Sequence, residues 1–318
     1  MQPLLRRVRR FFVRQMLAFA ADNHYRFATR AWQGVSDIQL ISRLLEAEYF
    51  RDFLAPMALP LNEFASLLVL APHQDDESIG AGGTLTLAAA SGARLGIVFV
   101  TDGAQESRFP SRAISAATRS EEAGQVCARL GAEKYDLSIS NLTPLPTLVD
   151  LEQLARIINN FKPDALLVPW LLDYPIKHRL VNHLVYLAHR QHGLGGIKEI
   201  WNYQVHNTIY PNAYVDITDV IEQKRSLIQC YKSQNDNFFR YDHLAVGLSA
   251  WNARLLPKSQ VPIGERYVEV FFTLPPHEYF HLIETFYLTD LNSLYRGNEK
   301  FQTGINRLHQ TVMQSKTQ

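Results

Sequence analysis

"SLLVLAPHQDDESIGAGGT" (residues 66–84) passes from an apolar run, through a histidine and three acids, into a glycine cluster. SLLVLAP (66–72) has the length and aliphatic content of a buried strand, and SIGAGGTLTLAAASG (78–92) reads as a helix closed by Gly92. Asp75, Asp76 and Glu77 repel one another at the mouth of that strand, so a positive partner or solvent must offset them. Acids at a helix amino terminus are favoured by its dipole, which accounts for Asp76 or Glu77 alone but not for the ordered set. The glycines invite a dinucleotide reading. Their spacing is not GxGxxG, however, and the preceding acids would repel a pyrophosphate.

Working outward, strand and helix patterns alternate. RLGIVFVTDG (94–103), KYDLSIS (134–140) and DALLVPW (164–170) read as strands; SRAISAATRSEEAGQVCARLG (111–131) and VDLEQLARIINNFKP (149–163) read as the helices between them. Such alternation predicts an α/β fold, an open, mostly parallel, Rossmann-like sheet flanked by helices and joined by right-handed crossovers. Ligands of such sheets bind beyond the carboxyl ends of the strands. The first strand delivers His73 to Glu77 there, the second Thr101, Asp102 and Gly103, and the fourth Trp170, Asp173, Tyr174, Lys177 and His178. All three loops should open on one edge. Past residue 195, IKEIWNYQ, AYVDIT and RYVEVFFTL extend the sheet, with DVIEQKRSLIQCYKSQ as a helix between them. The expected organisation is a helical amino-terminal extension (1–60), an α/β domain (61–275) and a helical carboxyl-terminal tail (276–318).

At a strand-to-helix turn, side chains three residues apart can meet, so His73 and Asp76 can converge while Asp75 projects beside them. With a distant histidine they form a three-ligand set for Zn2+ that leaves a fourth position open to water. A dication offsets the repulsion among the acids and lowers the pKa of its water. Asp75, not spent on the metal, is then free to act as general base.

The pattern HxDDExxxxGGT resembles the signature of the PIG-L/LmbE family of zinc-dependent N-deacetylases, usually HPDDE followed by GGT. The similarity continues through Thr101 and Gly103, Arg119 and Glu122, "KRSLIQCYKSQ" (224–234) and "VEVFF" (268–272), covering about residues 66–273. It implies that His73 and Asp76 ligate zinc, that Asp75 is the general base, and that Arg119, Asp102 and Gly103 lie near the substrate. Arg119 pairing with Glu121 or Glu122 on its own helix is the plainer reading. Gln74 stands where proline is usual. The family's HxDH-type element corresponds to "DYPIKHR" (173–179), which keeps His178 as third ligand but puts Pro175 and Lys177 where a histidine and an aspartate are expected. The missing histidine stabilises the oxyanion, so Lys177 or the metal is the candidate replacement, with Tyr174 as donor to the leaving amine. The implied reaction removes the N-acetyl group of a GlcNAc-type conjugate, small or lipid-linked, with iron or another divalent ion as an alternative to zinc. A metal- or sugar-binding relative with weakened catalysis is the runner-up, because of Pro175. Glu77 orients His73 or caps the helix, and Asp173 is a partner of a ligand or a turn residue. The remaining histidines, among them His183, His189, His192 and His206, read as surface or core residues.

With 32 basic and 31 acidic side chains, the 318-residue chain shows no bias toward nucleic acid. Cys127 and Cys230 form no CxxC, which argues against a thiolate metal site and suits a reducing, cytoplasmic compartment. The amino terminus, MQPLLRRVRRFFVRQMLAFAADNHYRF, reads as a basic amphipathic helix. Residues 1–20 suit peripheral contact with an anionic membrane, docking on their own domain, or docking on a second subunit of a homo-oligomer. Arg14 and Gln15 interrupt the apolar middle and argue against export.

Overall fold

The computed structural model describes residues 56–105, 109–143, 145–235, 240–256, 264–295 and 298–315. The basic amphipathic helix expected at the amino terminus lies outside the described residues. Among the described residues, no helix is long and apolar enough to cross a membrane.

One mixed sheet organises the rest. Its strands are β1 (Met57–Ala58), β2 (Ser66–Ala71), β3 (Arg94–Thr101), β4 (Glu133–Ile139), β5 (Ala165–Pro169), β6 (Glu199–Tyr203), β7 (Ala213–Asp216) and β8 (Val268–Leu274), in the order β1-β7-β8-β6-β5-β2-β3-β4. Helices α1 (Asp76–Ala90), α2 (Arg112–Leu130), α3 (Leu148–Phe161) and α4 (Ile176–His192) make the crossovers between the parallel strands β2 to β6. Only β8 runs antiparallel, to both β6 and β7. The α/β reading therefore holds, and the first four expected strands fall within two residues of those observed. From β2 the chain builds outward through β3 and β4 on one side and then through β5 and β6 on the other, so strand order reverses between β2 and β5, the place where ligands of such sheets bind.

Every residue of β2 is buried, because both faces of the sheet are covered. Leu68 and Leu70 join one core with α3 and α4, while Leu67, Val69 and Ala71 join another beneath α1 and α2. Local signals set the helix ends. Ser111 Oγ accepts from the Ile114 N–H and Gly131 closes α2 in the left-handed region. Thr147 and Asp150 form a capping box ahead of α3, which stops before Pro163.

The helix expected over 219–234 is shorter. Helix α5 covers Ile221–Ile228, and the chain then turns, so that Tyr231, Ser233 and Gln234 reach toward α1 and α2 instead of continuing a helical face. Helix α6 (Tyr241–Asn252) follows. After β8 come α7 (Pro276–Leu282), a π-helical turn, α8 (Leu291–Leu294) and α9 (Glu299–Gln314). Phe301, Ile305, Leu308 and Val312 of α9 are buried in the same core as α4. Buried His183 of α4 lies 2.9 Å from both the Tyr295 hydroxyl and His309 Nδ1, so the carboxyl-terminal helices are tied to the sheet by polar as well as apolar contacts.

Three separated stretches of sequence meet in the middle of α1. Lys224 Nζ donates to the Ile79 carbonyl at 2.7 Å and to Glu269 Oε1 at 2.5 Å, while Glu269 accepts from the Gly83 and Thr84 N–H groups at 2.9 and 2.7 Å. Backbone groups from two turns of α1 are thereby bonded to side chains of α5 and β8. A Cβ on Gly83 would come within 2.7 Å of Ile217, so only glycine allows this approach.

Candidate active site

Strand β2 ends in Ala71-Pro72, and the chain turns sharply into α1 through Asp75, whose φ of 142° is unusual for a residue with a side chain. The turn brings His73 back onto Asp76: the His73 N–H donates to Asp76 Oδ2 at 2.8 Å, and His73 Nδ1 lies 3.1 Å from the same oxygen. Helix α4 begins just beyond β5 and presents His178 from its first turn, with Nε2 3.3 Å from Asp76 Oδ2. The ligand atoms of His73, Asp76 and His178 all lie within 4.8 Å of one another.

The surroundings prepare these groups for a cation. His178 Nδ1 is 2.9 Å from Asp173 Oδ2, and a proton donated there leaves a lone pair on Nε2 facing Asp76. Buried Nε2 has no hydrogen-bond partner, which is what a ligand atom facing an ion looks like before the ion is considered. Burial disfavours charge on His178, but Asp76 and Asp173 outweigh it and raise its pKa to about 10. Two carboxylates, Asp76 and Asp173, therefore face this one ring at 3.3 and 2.9 Å, negative charge that a cation would offset. His73 is lowered to about 4, by burial above all, and is neutral as a ligand must be. Burial also works against the Asp76 charge, yet the two histidines hold its pKa well below the usual range.

Asp75 points elsewhere. It is buried, and that burial, reinforced by Asp76 and Glu77, drives its pKa up against the opposing charge of Arg119. Arg119, only 2% exposed, reaches Asp75 Oδ1 at 3.4 Å and donates to the Gln74 carbonyl at 2.7 Å and the Gly103 carbonyl at 3.4 Å. The pairing with Glu122 on its own helix is not formed. Glu122 accepts instead from the Ser233 N–H and hydroxyl. Gln74 is buried where the family usually has proline, and its amide donates to the Thr101 carbonyl across the β2–β3 gap. Gly103 lies at φ 66°, and a Cβ there would meet Gln74 Oε1 at 2.1 Å, so this loop needs glycine on both counts.

A polar cavity of about 260 Å³ opens over the cluster. His73, Asp75, Asp76, Arg119 and Lys177 line it, together with Ile79, Gln105, Asn141, His206, Gln234 and Tyr241. Two larger clefts, each about 460 Å³, lie elsewhere; none of their lining residues belongs to the histidine–aspartate cluster. Burial lowers the Lys177 pKa, opposed by Asp102. Asp102 and Gly103 are not among the cavity-lining residues; Asp102 Oδ1 accepts from the Ala104 N–H and from the N–H of Asn141, which does line it. Tyr174 is 44% exposed and is not among the cavity-lining residues.

His206, Gln234, Gln105, Asn141 and Tyr241 are cavity residues that sequence reasoning missed. His206 is the consequential one. Read as a surface or core residue, it is indeed exposed, but it follows β6 to the cavity and sets its ring 5.1 Å from that of His178. Desolvation by the surrounding protein, and then His178, lower its pKa. The stretch 224–234 carried a signal for Gln234 and Tyr231. The Tyr231 hydroxyl, from the turn after α5, donates to buried Glu77 at 2.6 Å, and Glu77 accepts from the Asp75 N–H at 3.2 Å, which fits the helix-capping alternative for this residue.

Residues 68–189 match the PIG-L family, described as GlcNAc-PI de-N-acetylase. The diacetylchitobiose deacetylase of Thermococcus kodakarensis is 27% identical over 196 residues, covering 55% of this chain and 72% of the relative. Among solved structures, N,N'-diacetylchitobiose deacetylase from Pyrococcus horikoshii superposes with a TM-score of 0.59 at 25% identity, covering 77% of this chain and 96% of its own. GalB, the 4-carboxy-2-hydroxymuconate hydratase of Pseudomonas putida KT2440, shares the fold at a TM-score of 0.57 and 22% identity, covering 66% and 96% of the two chains. The fold therefore hosts more than one reaction, and the site has to carry the functional argument.

Proposed function

We propose, for a chain that belongs to the PIG-L/LmbE-like deacetylase family, metal-dependent hydrolysis of the N-acetyl group of a GlcNAc-type amino sugar. The observation that carries the reading is the clustering of His73, Asp76 and His178, whose ligand atoms lie within 4.8 Å of one another beside a polar cavity, with the buried Nε2 of His178 lacking a well-formed hydrogen bond. His73, Asp76 and His178 would hold the ion. Two imidazoles and one carboxylate suit zinc, with iron as the alternative. A bound dication would supply Lewis-acid polarisation of the acyl oxygen and of the attacking water.

The chain's own residues supply the rest. Asp75, with its raised pKa and no place among the three ligands, takes a proton from the water as its oxygen adds to the acyl carbon. The same carboxyl returns that proton to nitrogen as the C–N bond breaks, releasing acetate and the free amine. Arg119 limits how Asp75 can turn and keeps its carboxylate at the cavity. Lys177 also lines the cavity and is a cationic candidate for offsetting the negative charge that develops on the acyl oxygen. Tyr174 is left without a part in proton transfer, since it does not reach the cavity lining.

Acetate release from N-acetylglucosamine, diacetylchitobiose and lipid-linked GlcNAc conjugates tests this, with metal content measured before and after chelation. The expected result is release that chelation abolishes and zinc restores. Stoichiometric zinc with no release from any conjugate would make the chain a binding protein of this fold instead.

A further inference from the structure

Hydrolysis of an amide puts negative charge on the former carbonyl oxygen, and a donor already aimed at that point in a sheltered cavity is among the most valuable parts of such a site. Most donors on this cavity wall are committed elsewhere. Arg119 donates to the Gln74 and Gly103 carbonyls, Asn141 to the Ala104 carbonyl, Gln105 to Gln234, and Gln234 to Ser233. Among the described residues, the Lys177 ammonium and the His206 ring have no hydrogen-bond partner, and both face the cavity.

The two differ in how firmly they are held. Lys177 stands on a flexible four-carbon stem, whereas the backbone carrying His206 is fastened to the metal cluster. Asp173, the carboxylate that orients His178, also accepts from the Asn207 N–H at 3.0 Å and from the His206 N–H at 3.5 Å. Asn207 Nδ2 completes the clamp by donating to the Leu172 carbonyl at 2.9 Å. A single buried carboxylate thus bonds the His178 ring at the head of α4 and the backbone that carries the His206 imidazole.

We propose that His206 is a further catalytic residue, whose ring N–H donates a hydrogen bond to the oxyanion. This rests on the deacetylase reading. When the water oxygen bonds to the acyl carbon, the C=O π pair moves onto oxygen, and the His206 N–H stabilises that charge without giving up its proton. When the C–N bond breaks, the pair returns to form acetate, and the hydrogen bond weakens again. Asp75 carries the proton between water and amine throughout.

Wild type, His206→Phe and His206→Gln would be compared for kcat, KM, metal stoichiometry, Tm and affinity for a methylphosphonate analogue of the acetamido sugar. The expected result for His206→Phe is a kcat lower by about 100- to 1,000-fold, with KM, metal content and Tm close to wild type. Its affinity for the tetrahedral analogue should fall while its affinity for free glucosamine is unchanged, and His206→Gln, which keeps an N–H donor, should recover part of both losses. Wild-type kcat in His206→Phe overturns the proposal. So does an effect confined to KM, which would make His206 a sugar contact, or a loss of metal in proportion to activity, which would make it a ligand. If wild type itself releases no acetate, the deacetylase reading fails and takes this proposal with it; turnover in wild type with an unaffected variant sinks this proposal alone.

Discussion

Helix α1 touches two buried groups of charges that are built on opposite terms. In its middle, Lys224 and Glu269 close on each other and on backbone partners: both side chains are buried, and together they bond Ile79, Gly83 and Thr84. At its amino end, Asp75, Asp76 and Glu77 crowd against His73 and His178, and the Nε2 of His178 lies 3.3 Å from Asp76 without a well-formed hydrogen bond. A buried charge is tolerated when its hydrogen-bonding capacity is spent, and an unspent one is costly unless something arrives to use it. The closed pair holds the helix in place. The open cluster, at the head of the same helix, could hold a metal ion.

That contrast can be broken from either side. The largest effect on stability should come from Lys224→Met, which strands the buried Glu269 carboxylate and should cost about 3–5 kcal/mol in chemical denaturation. Adding Glu269→Leu should recover much of the loss, though the Gly83 and Thr84 N–H groups would then lack an acceptor; no recovery at all would show that the pair does more than neutralise itself. Asp75→Asn should lower kcat by about 100- to 10,000-fold while metal content stays at wild type, as read by acetate release and elemental analysis. Removing a member of the open cluster should behave unlike the closed pair. Asp76→Ala should lose the metal yet leave the Tm of the metal-free protein near wild type, because it also relieves repulsion with Asp75 and Glu77. A large drop in that Tm would mean the cluster is structural. Asp173→Asn should weaken metal affinity by about 10- to 100-fold in competition with a chelator, since Asp173 orients His178 without touching the ion. The smallest expected effect is at Cys127: its thiol is 3% exposed and burial raises its pKa to about 12, so a thiol reagent should modify it only after unfolding.

How much of this was legible depended on how local the signal was. His73, Asp75 and Asp76 lie within four residues on one turn, and the strand and helix that carry them have strong periodicity. His178 was also legible, because it follows a strand whose carboxyl end must share an edge with β2. Arg119 was half legible: its helix was plain, but whether it bonded Glu122 or crossed to Gln74 and Asp75 depended on how α2 packs. His206 was not legible at all. No pattern in "NYQVHNT" distinguishes a histidine exposed anywhere on the surface from one exposed beside the His73–Asp76–His178 cluster, and only the pairing of β6 with β5 brings it there. The turn after Ile228, which sends Tyr231 to Glu77 and Gln234 to the cavity, interrupts a stretch that reads as helix throughout.

The sequence by itself therefore determined the α/β sheet, the edge on which the site opens and the three groups able to hold a metal, because strand and helix periods and one short motif are local properties. Tertiary structure decided what those groups face. Asp173 binds His178 on one side and the His206 loop on the other, and Arg119 turns away from its own helix to hold Asp75. Those choices follow from which buried polar group can satisfy which other once the sheet is closed, a condition that no single stretch of the chain contains.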